Sequence, residues 1–167
     1  MTDQQRLITG IEGLDDILQG GLPPGHLYLI EGDPGTGKTT LALQFLLAGA
    51  KQGETGLYVT LSESQKELEA VAASHGWSLE KIQIFELLPD EEALRPERQY
   101  TVFHPSEVEL GDTTKAIMGK VEAVHPKRIV IDSLSELRML AQDPLRYRRQ
   151  ILAFKQYFTG KQCTVLL

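Results

Sequence analysis

Residues 32–39 read Gly32-Asp33-Pro34-Gly35-Thr36-Gly37-Lys38-Thr39, a fit to G-x-x-x-x-G-K-[ST], the phosphate-binding loop or P-loop. Few short motifs constrain a fold so tightly, because this one works only between a strand and a helix. Both flanks are present. The run His26-Leu27-Tyr28-Leu29-Ile30-Glu31 predicts a short buried strand, and residues 39–50 form an apolar helical run.

The chemistry accounts for the spelling. A triphosphate needs several N–H donors around it, and only a tight turn aims successive backbone amides inward. Gly32, Gly35 and Gly37 permit the positive φ values and close approach that side chains would block. Pro34 stiffens the loop, and the helix starting near Lys38 adds its unpaired N–H groups and dipole. Asp33, Pro34, Gly35, Thr36, Gly37, Lys38, Thr39 and Thr40 are therefore the expected nucleotide contacts. Lys38 is expected to reach the β and γ phosphates, and the Thr39 hydroxyl to ligate Mg²⁺.

With 167 residues, the chain fits one domain with a substantial core. Its net charge of −6 counts against a dedicated nucleic-acid binder, which would carry a basic balance. Cys163 is the sole cysteine, so no disulfide can form within the chain, which suits a reducing compartment. The N-terminus is polar and lacks a signal-peptide core, and no apolar stretch reaches spanning length. A cytoplasmic protein without a membrane segment is expected.

Along the chain, a short helix is expected at residues 14–18, then a Gly-Gly and Pro-Pro-Gly turn into the P-loop strand. The helix from Thr39 is apolar on nearly every side, which predicts burial between layers. Strands follow at 57–61 and 82–87. Between them lies a helix whose inward face is Leu68, Val71, Ala72 and His75, ended by Gly76. Residues 89–105 hold three prolines and the acids Asp90, Glu91 and Glu92, and read as an exposed excursion. A helix resumes near Asp112 with Ile117, Val121 and Val124 inward, and stops at Pro126. Residues 128–132 form a strand ending on an acid. A helix over 144–158 carries the stripe Tyr147, Ile151, Phe154 and Phe158, and residues 163–167 are the last strand. Alternating strands and helices imply an α/β fold: a mostly parallel twisted sheet with helices on both faces. The chain is expected to be one domain, residues 1–25 leading in and residues 26–167 forming the core.

Beyond the P-loop, Asp132 after Ile129-Val130-Ile131 has the pattern of the acid that holds Mg²⁺ opposite the loop's Thr. The competing role is an N-cap for the next helix, and Ser133 is a further candidate for capping or for contact with the metal's waters. Glu63 leaves the second strand at its carboxyl end, where ligands sit in open α/β sheets, and is the candidate for orienting water. Its competing role is helix capping. Arg146, Arg148 and Arg149 lie off the apolar stripe, as a solvated face or as partners for an acidic segment such as residues 90–92 of a neighbouring subunit. The four histidines show no metal-ligand spacing.

Taken together the sequence resembles the KaiC-like branch of the RecA superfamily. The resemblance is carried by Thr9-Gly10-Ile11, Gly13-Leu14-Asp15, Gly20-Gly21-Leu22-Pro23, the P-loop, Val59-Thr60-Leu61-Ser62-Glu63, Gly76-Trp77 and Ile131-Asp132-Ser133. It implies a Mg²⁺-dependent ATPase that forms hexameric rings, with ATP between subunits and a signalling partner; some members phosphorylate themselves. Two departures stand out. The better-known clock members place two adjacent glutamates after the second strand, the first assigned as catalytic. Ser62 and Glu63 occupy those positions here. Either Glu63 takes over, or hydrolysis is slow or absent. The family also continues beyond the last strand into segments bearing a Lys and an Arg that reach a neighbour's γ-phosphate, so the chain reads as a C-terminally truncated domain. The expected function is therefore an ATPase that couples nucleotide state to homo-oligomer assembly and signalling. A nucleotide-gated scaffold with little turnover is the alternative, and a DNA recombinase a weaker one.

Overall fold

Along each central strand, successive side chains feed two different cores. In the computed structural model, which describes residues 6–87 and 105–167, Leu57 and Val59 join one apolar cluster while Tyr58 between them joins the other. Ile129 and Ile131 divide from Val130 in the same way, as Val165 does from Leu166. This period of two is what a pleated strand imposes when both faces are covered.

The described strands are Leu27–Tyr28 (β1), Gly56–Thr60 (β2), Ile82–Glu86 (β3), Arg128–Asp132 (β4) and Thr164–Leu166 (β5). They form one sheet in the order β1-β5-β4-β2-β3, with every neighbouring pair parallel. The helices are Glu12–Ile17 (α1), Lys38–Lys51 (α2), Gln65–Ser74 (α3), Pro105–Val124 (α4), Leu134–Ala141 (α5) and Pro144–Phe158 (α6). Buried residues of α2 and α3 share one cluster with Tyr58, Val130 and Leu166. Ile117 and Val121 of α4, Leu137 of α5, and Phe154 and Phe158 of α6 share the other. The expected parallel α/β sheet with helices on both faces is what the chain forms.

Several boundaries differ from the sequence reading, each for a physical reason. Helix α4 starts at Pro105, not near Asp112, as proline is tolerated in a first helical turn. Helix α5 was not foreseen; its eight residues are too few for a period to declare itself. His75 is exposed, because α3 stops at Ser74 and Gly76 turns left-handed (φ 71°), leaving the imidazole stacked on Trp77 at 4.6 Å. The excursion expected at 89–105, its acids Asp90, Glu91 and Glu92, and His104 fall outside the described residues, Pro105 apart.

One buried cation ties the layers together. Arg128, fully buried at the start of β4, bonds Glu54 through Nε at 2.5 Å. Its Nη1 donates to the carbonyls of Ile8 (2.6 Å) and Phe45 (2.9 Å), and the guanidinium lies over the Phe45 ring. The chain end before α1, helix α2, the turn before β2, and β4 thus meet at a single side chain. Room for it comes from Gly49: a Cβ there would sit 2.5 Å from Arg128 Nε and 2.7 Å from Glu54 Oε2.

A reversal of the usual helix rule follows. Gly→Ala inside a helix ordinarily gains about 0.5–1 kcal/mol, yet Gly49→Ala is expected to lose about 1–3 kcal/mol by overpacking. Gly119→Ala in α4, where a Cβ meets nothing within 4 Å, should be neutral or stabilising. Thermal melting of the two variants beside the parent chain checks both signs.

Candidate functional site

The P-loop is a turn that its own side chains hold shut. Thr36 Oγ1 donates to the Asp33 carbonyl at 2.8 Å. Lys38 Nζ donates to the carbonyls of Gly32 (2.7 Å) and Asp33 (2.9 Å). Gly35 and Gly37 take φ values of 82° and 90°, and Gly37 is the N-cap of α2. Left-handed residues of this kind favour a nest of backbone N–H groups, and open space lies where each Cβ would project. Pro34 is exposed on the loop, and Thr39 and Thr40 are half-buried in the first turn of α2.

The acid of β4 meets this loop from 93 residues away. Thr39 Oγ1 donates to Asp132 Oδ2 at 3.3 Å, and the Tyr58 hydroxyl donates to the same oxygen at 2.5 Å. Strand β5 separates β1 from β4 in the sheet, so the contact is made by the first turn of α2 leaning across, not by neighbouring strands. Asp132 is not a helix cap: the N-cap of α5 is Ser133, whose side chain makes no capping bond. Burial, then the Asp132 charge and hydrogen bond, push the Tyr58 phenol well above its ordinary range. It therefore remains a donor. A hydroxyl and a carboxylate, both hard oxygens aimed at one spot beside a nest of amides, fit Mg²⁺ better than a softer metal. Among the described residues, no three His, Cys, Asp or Glu side chains gather into another metal-binding group.

Glu63 sits where the sequence put it, at the carboxyl end of β2, and Thr60 aims it. Thr60 is 1% exposed; its Oγ1 accepts from Glu63 N–H at 3.0 Å and donates to the Glu63 carbonyl at 2.6 Å. Register pairs Thr60 with Asp132 on the adjacent strand, and Glu63 follows three residues beyond that pair. Capping of α3 falls to Ser64 and Glu67, which form a reciprocal capping box. Glu63 is released from that role. Its Oε2 is buried and meets no hydrogen-bond partner among the described residues. Burial first, then the charges of Asp132 and Glu67, hold its carboxyl above the ordinary glutamate range. Ser62 beside it is exposed.

Along the carboxyl ends of β1, β5 and β4 runs an open cleft of about 230 Å³, lined by Gly32, Lys38, Asp132, Ser133, Arg138 and Tyr147 among others. Sequence reasoning overlooked Tyr58, Thr60 and Arg138. Tyr58 read as an apolar strand residue, Thr60 as part of the same run, and Arg138 belongs to the helix whose period was too short to see. Arg148 and Arg149 are exposed and Arg146 half-buried on α6; none of the three lines this cleft.

Comparison with known proteins agrees with this fold. The family profile described as "ATPase: KaiC" matches residues 7–167. A UPF0273 protein of Methanopyrus kandleri is 33% identical over 98% of the chain, which spans 66% of that relative's length. The circadian clock oscillator protein KaiC of Parasynechococcus marenigrum is 36% identical over 88% of the chain, which spans 28% of it. Among solved structures, a KaiC-like protein from Pyrococcus horikoshii superposes with a TM-score of 0.76 at 32% identity, covering 97% of this chain and 70% of that one.

The Glu63 environment predicts a pH signature. An acid whose folded value is raised favours the folded state below its unfolded value of 4.5, and that contribution is lost as pH rises through the folded value. Glu63→Gln mimics the protonated form. It should melt with the parent chain near pH 4 and roughly a few degrees above it at pH 7. Equal differences at both pH values would contradict the raised value.

Proposed function

Given that the chain belongs to the KaiC ATPase family with its RecA-type α/β fold, we propose that it binds Mg·ATP at the P-loop and hydrolyses it, coupling nucleotide state to homo-oligomer assembly and signalling. The observation that carries this reading is the meeting of Thr39 with Asp132 at 3.3 Å. Two motifs distant in sequence converge where a phosphate-bound metal would lie. The cytoplasm, to which a lone buried thiol is suited, is the proposed setting.

Each residue has a defined task in this reading. The loop N–H groups from Gly35 to Thr40 and the Lys38 ammonium hold the β and γ phosphates and stabilise charge as the terminal phosphoryl leaves. Thr39 and Asp132 would hold Mg²⁺, which neutralises charge on the phosphate oxygens when bound. Glu63 accepts a hydrogen bond from water and orients it in line with the γ-phosphorus. Its partnerless Oε2 is available for that bond, and its raised carboxyl pKa makes it a better proton acceptor than an ordinary glutamate. A hexameric ring, with neighbours supplying residues to the γ-phosphate, belongs to the same proposal.

A second reading rests on Ser62. With one carboxylate at this strand end, the chain could serve as a nucleotide-gated scaffold that assembles on ATP and turns over little. Phosphate release and sizing decide between them. For the ATPase, release by the parent chain should fall at least about 100-fold in Glu63→Gln and vanish in Lys38→Ala. Size exclusion should show an Mg·ATP-dependent shift that Lys38→Ala abolishes. Assembly without phosphate release would establish the scaffold instead.

A further inference from the structure

From the centre of the sheet, Tyr58 brings a hydroxyl to the candidate metal site. Its ring is fully buried among residues of α2, α3 and β4, Phe45, Leu68 and Val130 among them. Register places it opposite Val130, two residues behind the Thr60–Asp132 pair. The phenol therefore extends along the strands toward their carboxyl ends and meets Asp132 Oδ2 at 2.5 Å. Thr39 reaches that same oxygen at 3.3 Å.

A buried hydroxyl must find some acceptor, and a satisfied core tyrosine would answer that need with any carbonyl nearby. Here the acceptor is the carboxylate oxygen that the P-loop helix also contacts. From this we infer that Tyr58 is a positioning residue for Asp132: it clamps Oδ2 from beneath so that the carboxylate keeps one orientation toward Mg²⁺ and the Thr39 hydroxyl. The inference rests on the Mg·ATP reading of the site. Its physical basis is twofold. A ring packed on both faces cannot swing away, so the hydroxyl is a fixed point. A short O–H bond to a carboxylate oxygen is also among the stronger hydrogen bonds. Partners that orient a metal-binding side chain typically contribute 10–100-fold to metal affinity.

Binding of a fluorescent ATP analogue, followed with EDTA and across a Mg²⁺ titration, tests the inference without recourse to turnover. Tyr58→Phe should bind the analogue as the parent does in EDTA, while its Mg²⁺ midpoint rises about 10-fold. In an Asp132→Asn background the same substitution should add nothing. An unchanged midpoint in Tyr58→Phe would overturn the role, as would equal weakening with and without metal, the mark of a core residue alone. Melting curves accompany each variant. One arm needs no Tyr58 substitution: with tyrosine rings isotopically labelled, the Tyr58 signal should move when Mg²⁺ is added to the analogue complex and stay still in Asp132→Asn. A signal that ignores the metal in the parent chain counts against the inference. Failure of the underlying reading looks different, since the parent chain would then bind no analogue and Lys38→Ala would change nothing.

Discussion

The Arg128 guanidinium is the point at which the fold closes. A fully buried cation is costly to desolvate, and only a dense set of acceptors can offset that cost. Glu54 and the carbonyls of Ile8 and Phe45 satisfy Nε and Nη1, while the buried Nη2 meets no acceptor among the described residues. Each acceptor comes from a different part of the chain, so the interaction forms only when the lead-in, helix α2, the turn before β2, and β4 have all arrived. Gly49 is the accommodation that α2 makes for it. Because α2 also begins at the P-loop and β4 ends at Asp132, one node at the amino ends of the strands sets the relative placement of both halves of the site at the other end.

That placement separates holding a nucleotide from cutting it. The P-loop is self-contained: its bends come from Gly35 and Gly37, and its closure from Thr36 and Lys38 bonding to their own loop. The proposed cleavage needs more, namely a carboxylate beyond a neighbouring strand end. Thr60 bonds the backbone of Glu63 there, and the capping box of Ser64 and Glu67 leaves Glu63 outside the helix cap. Ser62 beside it carries no charge, so Glu63 is the acid of that strand end.

Local chemistry was legible wherever it repeats or punctuates. The P-loop could be read residue by residue, since its glycines and Lys-Thr are adjacent in sequence. Asp132 was visible because an apolar run ends on it, and the bounds of β4 and α6 agree with their periodicity. Residues 134–141 were not read as a helix, because eight residues fall short of the window over which a helical period is judged. His75 was assigned to the inward face by spacing alone, whereas the left-handed turn at Gly76 had already ended the helix.

What the sequence alone determined was the alternation of strand and helix, the parallel sheet it implies, and the identities of Lys38, Thr39, Asp132 and Glu63 as residues of interest. Tertiary structure decided how they combine. It put β5 between the P-loop strand and β4, and it brought Thr39 to Asp132 across 93 residues. It also turned Tyr58 from one more apolar strand position into a donor on the Asp132 carboxylate. The division has a simple cause. Periodicity and turn chemistry act over a few residues and are written in their order. Strand order and register emerge only when distant segments bury each other's surface, and those choices determine which polar atoms meet.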